Sequence, residues 1–274
     1  MARAVILSMV ALGAGCALQA PPALSTLNVA ASDPAAAQFS AIDSLAKAAL
    51  LASDGSPDND ELAVRAASLL FQAADARAQC AIVAASVDGD PVDIVLAADD
   101  RVSAEVRKQV ASLCSDGLGA AERVVARHPD NPAAQLQRGL CLCLLAWANG
   151  SVRSLVQGFG PRILDAIDKS VAGDAKADDC AALRLQGRFL HKAPWPLRDR
   201  EVARAALLRA VDEAPCLLNF LFLGDALWSE GDRDGAIDAW RKAVDARCGD
   251  SARWSEAPLR ELTRRRLAGK GKAV

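Results

Sequence analysis

The chain has 274 residues, and its 32 basic and 34 acidic side chains give a formal net charge of −2. This balance argues against the basic surface that nucleic-acid-binding domains usually carry, so we expect no nucleic-acid partner. Hydrophobic residues make up 52% of the sequence, which excludes global disorder. Tyrosine is absent, aromatic residues reach only 4%, and alanine, the strongest helix former, is abundant. The composition therefore predicts an all-α protein.

Residues 1–15 have the pattern of a secretory signal peptide. Arg3 supplies a positive charge, an uncharged apolar stretch follows, and small residues precede Cys16. The apolar stretch is shorter than the about 20 residues that a helix needs to span a bilayer. Residues 16–35 are rich in alanine, proline and serine, which predicts a flexible tether between the signal and the folded part.

The segment that ends at Cys16 resembles the lipobox of bacterial lipoproteins, in which the cysteine is lipidated and becomes the mature N-terminus. Gly13 stands where the family favours leucine, and Leu12 lies one position further back. The resemblance implies a membrane anchor on Cys16 and a location in the periplasm or on the inner face of the outer membrane. The alternative is an ordinary signal peptide whose cleavage leaves Cys16 unmodified.

Residues 36–128 are interpreted as degenerate N-terminal helical repeats. Helical patterns over 37–53 and 59–80 flank the turn sequence DGSPDND, which predicts a helical hairpin. A further helix is predicted within 99–128, and the sequence ARHPDNP then marks the end of that unit.

The strongest internal signal is a helix–turn–helix unit that begins at residue 217. Gly231 stands in its turn, where a left-handed residue would end the first helix. The two helices carry small residues where they would approach each other closely and one large residue that would fill the gap to the next helix. These residues are Gly224, Ala236, Ala243 and Trp240.

Two similar units precede this one within residues 129–268. Gly187, Ala203 and Pro215 mark the nearer unit, whose inter-helix loop HKAPWPLRD is longer than the corresponding turn. The earlier unit has predicted helices at 132–148 and 161–173, separated by the insertion NGSVRSLVQGFGP. The C-terminal segment is predicted to form a polar capping helix, and residues 269–274 a tail.

These small and large positions resemble the tetratricopeptide (TPR) pattern, which implies a solenoid of antiparallel helix pairs. Combined with the lipoprotein-like signal, the long insertion and the loop APWPLRD, they resemble the TPR-type periplasmic lipoproteins that accompany TRAP transporters, the T-component family. The resemblance covers residues 110–250 best. It implies an α-helical scaffold in the cell envelope that pairs with a substrate-binding protein.

Motifs for catalysis and metal binding are not found in the sequence. There is no GxSxG, HExxH or P-loop, and Cys141 and Cys143 would point away from each other on a helix. We therefore expect no enzymatic activity, no cofactor and no metal ion. Seven cysteines besides Cys16 leave at least one thiol free, and whether the others form disulfides stays open.

The candidate binding residues lie on the first helices of the repeats, which line the concave face of TPR solenoids. Arg184, Arg188 and Lys192 follow one another at a spacing of four and therefore share one helix face. His191, Asp225 and Trp228 occupy equivalent ligand-facing positions. We predict that this face binds a protein or peptide partner with acidic groups, the alternative being a solvated stripe paired with local acids.

The sequence thus favours an exported, lipid-anchored scaffold that docks a protein partner on its concave face. The transporter-associated binding protein implied by the resemblance is one such partner. The alternative is a periplasmic small-molecule carrier, with an apolar or anionic ligand in a pocket between repeats. In that case the insertion at 149–161 could close over the pocket.

Overall fold

The structure, a computed structural model, describes residues 34–85, 101–193 and 195–268. This part of the chain is helical and contains no β-strand, which confirms the predicted all-α class. None of its helices is both long and apolar enough to cross a membrane. Numbered along the chain, the helices are α1 (Pro34–Asp54), α2 (Asp60–Ala85), α3 (Ala104–Arg127), α4 (Pro132–Asn149), α5 (Ser151–Val156), α6 (Phe159–Asp174), α7 (Ala177–Lys192), α8 (Arg200–Glu213), α9 (Leu217–Glu230), α10 (Arg233–Asp245) and α11 (Glu256–Ala268), with a 3₁₀ turn at Asp250–Ala252.

The predicted signal peptide, Cys16 and most of the predicted tether lie outside the described residues, as does the tail at 269–274. Helix α1 begins at Pro34, so the last two residues that were assigned to the tether are helical. The helical hairpin predicted at 37–53 and 59–80 is present as α1 and α2.

Helices that follow each other in sequence pack together as antiparallel neighbours. Helix α1 packs on α2, α2 on α3, α3 on α4, α4 on α6, α7 on α8, and α9 on α10. The last two pairs are the two units predicted around Gly187 and Gly224. This consecutive pairing is the arrangement of a helical-repeat solenoid.

Side-chain caps begin several of these helices where the sequence changes from loop to helix. The side chains of Asn131, Asp199 and Asp232 each accept a hydrogen bond from a backbone N–H three residues further on. These bonds satisfy N–H groups that the first helical turn leaves unpaired. Gly231 ends α9 in the left-handed conformation, as predicted, with φ of 92°.

Glycines on the first helices allow close contact with the second helices. A Cβ atom added to Gly187 would lie 2.4 Å from Leu207, and one added to Gly224 would lie 2.4 Å from the Trp240 ring. Trp240 reaches back over Gly224 because its indole needs the space that a missing side chain leaves.

Two loops that interrupt the repeats leave apolar side chains in solvent. The insertion between α4 and α6 forms the short helix α5, in which Val156 is 86% exposed. The loop between α7 and α8 presents Trp195, which is 84% exposed. Both loops adjoin the cavity described below, because Ser154 and Leu197 line it.

The C-terminal helix α11 does more than cap the last repeat. It packs on α10 and α9, and it also contacts α2 near the other end of the chain. Hydrogen bonds in this closing seam join α11 and the two residues before it to α1 and α2: Ser255 Oγ donates to Asp75 Oδ2 at 2.6 Å, Gln38 Nε2 donates to the Trp254 carbonyl at 2.8 Å, and Arg265 Nη1 donates to the Val83 carbonyl at 2.8 Å. The C-terminal segment therefore bridges the last repeat and the N-terminal helices.

Candidate functional site

A cavity of about 350 Å³ lies between the helices. Helices α2, α4, α7 and α9 contribute most of its wall, each with residues three or four positions apart that share one helix face. Its size falls within the range of small-molecule pockets. Its wall includes the aromatic side chains of Phe71, Trp147, Phe159, Phe189 and Phe222 and the apolar side chains of Leu140, Leu144 and Leu218.

Arg184, Arg188 and Lys192, the stripe predicted on α7, all line this cavity. Their common face on α7 is therefore confirmed, and it faces this cavity. Arg184 is buried, and its Nη1 donates to the Asp179 carbonyl and to Asn219 Oδ1, both of which are uncharged acceptors. Arg188 lies over the Phe222 ring, 4.4 Å from its centroid.

Asp225 is a fully buried carboxylate that binds two arginines. Arg188 Nη1 lies 2.8 Å from its Oδ2, and Arg266 from α11 contacts both carboxylate oxygens, at 2.7 and 2.9 Å. Trp240 Nε1 also donates a hydrogen bond to Asp225 Oδ1, at 3.2 Å. Burial alone would raise the pKa of Asp225, but Arg266 and Arg188 hold it below its usual value. The carboxylate is therefore ionised and is shared between two cations.

His191 is buried beside this cluster and stays neutral. Its Nε2 lies 3.3 Å from Ser229 Oγ, and its Nδ1 is buried without a hydrogen-bond partner among the described residues. Burial first, and then the neighbouring charges of Arg188 and Lys192, lower the pKa of His191 to about 4. At neutral pH the ring is therefore uncharged.

Asp75 on α2 places a carboxylate in the same wall. It accepts hydrogen bonds from the uncharged side chains of Gln79 and Ser255. Burial raises the pKa of Asp75, and the hydrogen bonds and the charge of Arg184 offset only part of that effect. Sequence reasoning missed Asp75, because α2 carries no repeat signature. The available signal was the series of polar residues Ser68, Gln72, Asp75 and Gln79 at helical spacing in an alanine-rich helix.

The first turn of α7 has an unusual backbone. Asp178, Asp179 and Cys180 have φ values of 50°, 56° and 61°, in the left-handed region that non-glycine residues rarely adopt. The Asp179 carbonyl accepts bonds from Arg184 and Asn219, and its carboxylate binds Arg247. These contacts hold the strained turn and place Asp178 in the cavity wall.

The six predicted partner-binding residues divide into two groups. Arg184, His191 and Asp225 are buried, whereas Arg188, Lys192 and Trp228 are half-buried, so none of the six is fully exposed, and binding of a partner by them stays a prediction. The physical reason for this burial is that Asp225 and Asn219 on α9 accept hydrogen bonds from the arginines of α7 and draw them inward. Trp228 is half-buried, where it packs against Trp240 with ring centroids 5.3 Å apart and carries the Arg233 guanidinium on its face.

All seven cysteines from Cys80 to Cys248 are free thiols in the described residues. Cys143 lines the cavity, whereas Cys141 is buried in the packing of α3 against α4. Burial raises the pKa of Cys143 to about 12, so its thiol is protonated at neutral pH. The predicted divergence of Cys141 and Cys143 on one helix is confirmed.

No protein-family model matches the chain, and no curated protein matches it. The resemblance to TPR-type lipoproteins therefore depends on the residues quoted above.

Proposed function

We propose that the protein is a small-molecule carrier that binds an amphipathic anion, an apolar body with a carboxylate-like head, in this cavity. Binding without catalysis is the proposed activity. The observation that carries the proposal is a mainly apolar cavity of about 350 Å³ whose wall includes three cationic side chains on one helix. Pockets that combine apolar walls with a few convergent polar groups are typical ligand sites.

The charges around the cationic side of the cavity support an anionic ligand. Arg184 has uncharged acceptors as its hydrogen-bond partners, and Asp225 alone is shared by Arg188 and Arg266. A buried guanidinium bound only to uncharged acceptors, as Arg184 is, is costly, and an anion in the cavity would reduce that cost. Phe189 and Phe222 beside them would contact an apolar chain.

The organisation of the chain supports a carrier in the cell envelope. Consecutive helix pairs and the close glycine contacts fit the TPR-like interpretation. The signal-like residues 1–15 and the lipobox-like segment at Cys16 support export and a lipid anchor. A tethered carrier of this kind would hold its ligand close to the membrane.

Calorimetric titration with decanoic acid and decanol tests the proposal. Decanoic acid should bind, and Lys192→Gln should weaken it about tenfold, the equivalent of ~1.4 kcal/mol. Decanol should bind more weakly and should not respond to that change. Lys108→Gln is the matched control, because Lys108 is exposed on α3 and does not line the cavity. Equal binding of both ligands, or equal effects of the two variants, would refute an anion site.

Docking of a protein partner is the second candidate function, and the exposure of Trp195 and Val156 favours it. Exposed apolar side chains next to a cavity are typical of protein contact sites. The exposed loops around Trp195 and Val156, and not the α7 stripe, would then contact a binding protein in the envelope. Affinity capture from envelope extract should recover a partner with the wild type and lose it with Trp195→Ala. Recovery of the same proteins by both would contradict docking through Trp195.

A further inference from the structure

We propose that the ligand also carries a cationic group, and that Asp75 and Gln137 recognise it. The ligand would thus be a zwitterionic amphiphile, with an anionic group toward Arg188 and Lys192 and an ammonium-like group toward α2 and α4. This inference rests on the proposed carrier function and specifies its ligand class.

Asp75 is the first observation that carries the inference. Its carboxylate lines the cavity from α2, and its two hydrogen-bond partners, Gln79 and Ser255, are uncharged. The charge of Arg184 offsets only part of the cost of burying this carboxylate, so a cationic group on an occupant of the cavity would stabilise its ionised form. Hydrogen bonding to Ser255 alone would not require an acid, because an amide side chain could accept the same bond.

Gln137 is the second, independent observation. It lines the cavity from α4, is 6% exposed, and its Oε1 is buried without a hydrogen-bond partner among the described residues. A buried acceptor without a donor is costly, and an occupant of the cavity with N–H groups would satisfy it. Asp75 and Gln137 lie on α2 and α4, which contact each other, and both offer acceptors.

An ammonium group fits this pair because it has three donors, no acceptor and a positive charge. A neutral hydroxyl would satisfy Gln137 but would leave the charge of Asp75 only partly offset. The acceptors on α2 and α4 and the cations on α7 therefore give the cavity polar groups of opposite character, together with apolar side chains such as Leu140 and Phe189.

The experiment compares decanoic acid with its α-amino and ω-amino derivatives, which place the ammonium near to and far from the carboxylate. We expect the better amino derivative to bind the wild type about tenfold more tightly than decanoic acid. Asp75→Asn should abolish or reverse this preference while decanoic acid still binds, which also reports that the variant is folded. Gln137→Leu should reduce the preference and serves as the second variant should Asp75→Asn fail to fold.

Asp212→Asn is the matched control, because Asp212 is exposed on α8 and does not line the cavity. It should keep the full preference. The inference is overturned when wild type binds decanoic acid and both amino derivatives equally, or when Asp75→Asn keeps the preference. Lack of binding by all three ligands would overturn the carrier function together with it, so the two failures are distinguishable.

Discussion

The absence of a side chain at Gly224 matters because Trp240 occupies the space where a Cβ would lie. We expect Gly224→Ala to lower the free energy of unfolding by about 1–3 kcal/mol, because the new methyl group forces the indole or the helix to shift. Chemical denaturation measures this change.

Gly119→Ala is the control for that prediction. Gly119 also lies in a helix, α3, but a Cβ added there meets no atom within 4 Å. Its replacement should stabilise the protein by roughly 0.5–1 kcal/mol, because alanine loses less backbone entropy on folding. Equal effects of the two substitutions would show that the α9–α10 packing is not as close as described.

The buried His191 should make stability depend on pH. The unfolded chain takes up a proton near the ordinary pKa of 6.5, whereas the folded ring stays neutral until about 4. Protons therefore favour the unfolded state in this window, and His191 should cost stability as the pH falls through it. The loss should be on the order of 2 kcal/mol, because water screens part of the ring.

Urea unfolding of the wild type and His191→Gln at neutral and mildly acidic pH measures this effect. The variant should lose less stability on acidification than the wild type. His128→Gln is the control, since the His128 side chain is 61% exposed. If the free energy of unfolding changed equally with pH in the wild type and in His191→Gln, the result would contradict a neutral buried ring.

At the scale of single elements, Arg266 fixes α11 to the last repeat. Its guanidinium is buried against Asp225, so Arg266→Met should remove one of the two arginines from that carboxylate. We expect the free energy of unfolding to fall by about 3 kcal/mol, or by less if Arg188 alone neutralises the Asp225 carboxylate. Arg264→Met on the same helix should change stability by less than about 0.5 kcal/mol, because the Arg264 side chain is 59% exposed. Thermal unfolding of both variants checks the difference, and similar losses would argue against the buried pair.

The helices and the phase of the last repeats could be predicted from sequence because their signals are local. Gly231 marks a left-handed stop, and Gly187 and Gly224 recur at equivalent places in two units. The burial of Arg184 could not be predicted, since it depends on Asn219, 35 residues away on another helix. The contact between Ser255 and Asp75 spans 180 residues, and nothing in the local pattern of α11 indicates it. The common face of Arg184, Arg188 and Lys192 on α7 was therefore predicted correctly, but the α9 residues that bind these side chains were not.

At the scale of the whole molecule, the predicted anchor at Cys16 can be tested apart from the fold. Cells that express the wild type or Cys16→Ser are labelled with a palmitate analogue and fractionated. The wild type should incorporate the label and sediment with membranes, whereas Cys16→Ser should do neither, because a serine hydroxyl does not replace the thiol that receives the lipid. Unlabelled protein with identical fractionation in both strains would show that the segment is an ordinary signal.

The closing seam between α11 and α2 also changes how the molecule can unfold. An open row of helical repeats has two free ends, from which units can be lost one at a time, and its stability is close to a sum over neighbours. Here α2 and α11 stabilise each other, so loss of structure near either end of the row also breaks contacts at the other. Unfolding should consequently approach a single cooperative transition instead of a stepwise loss of units.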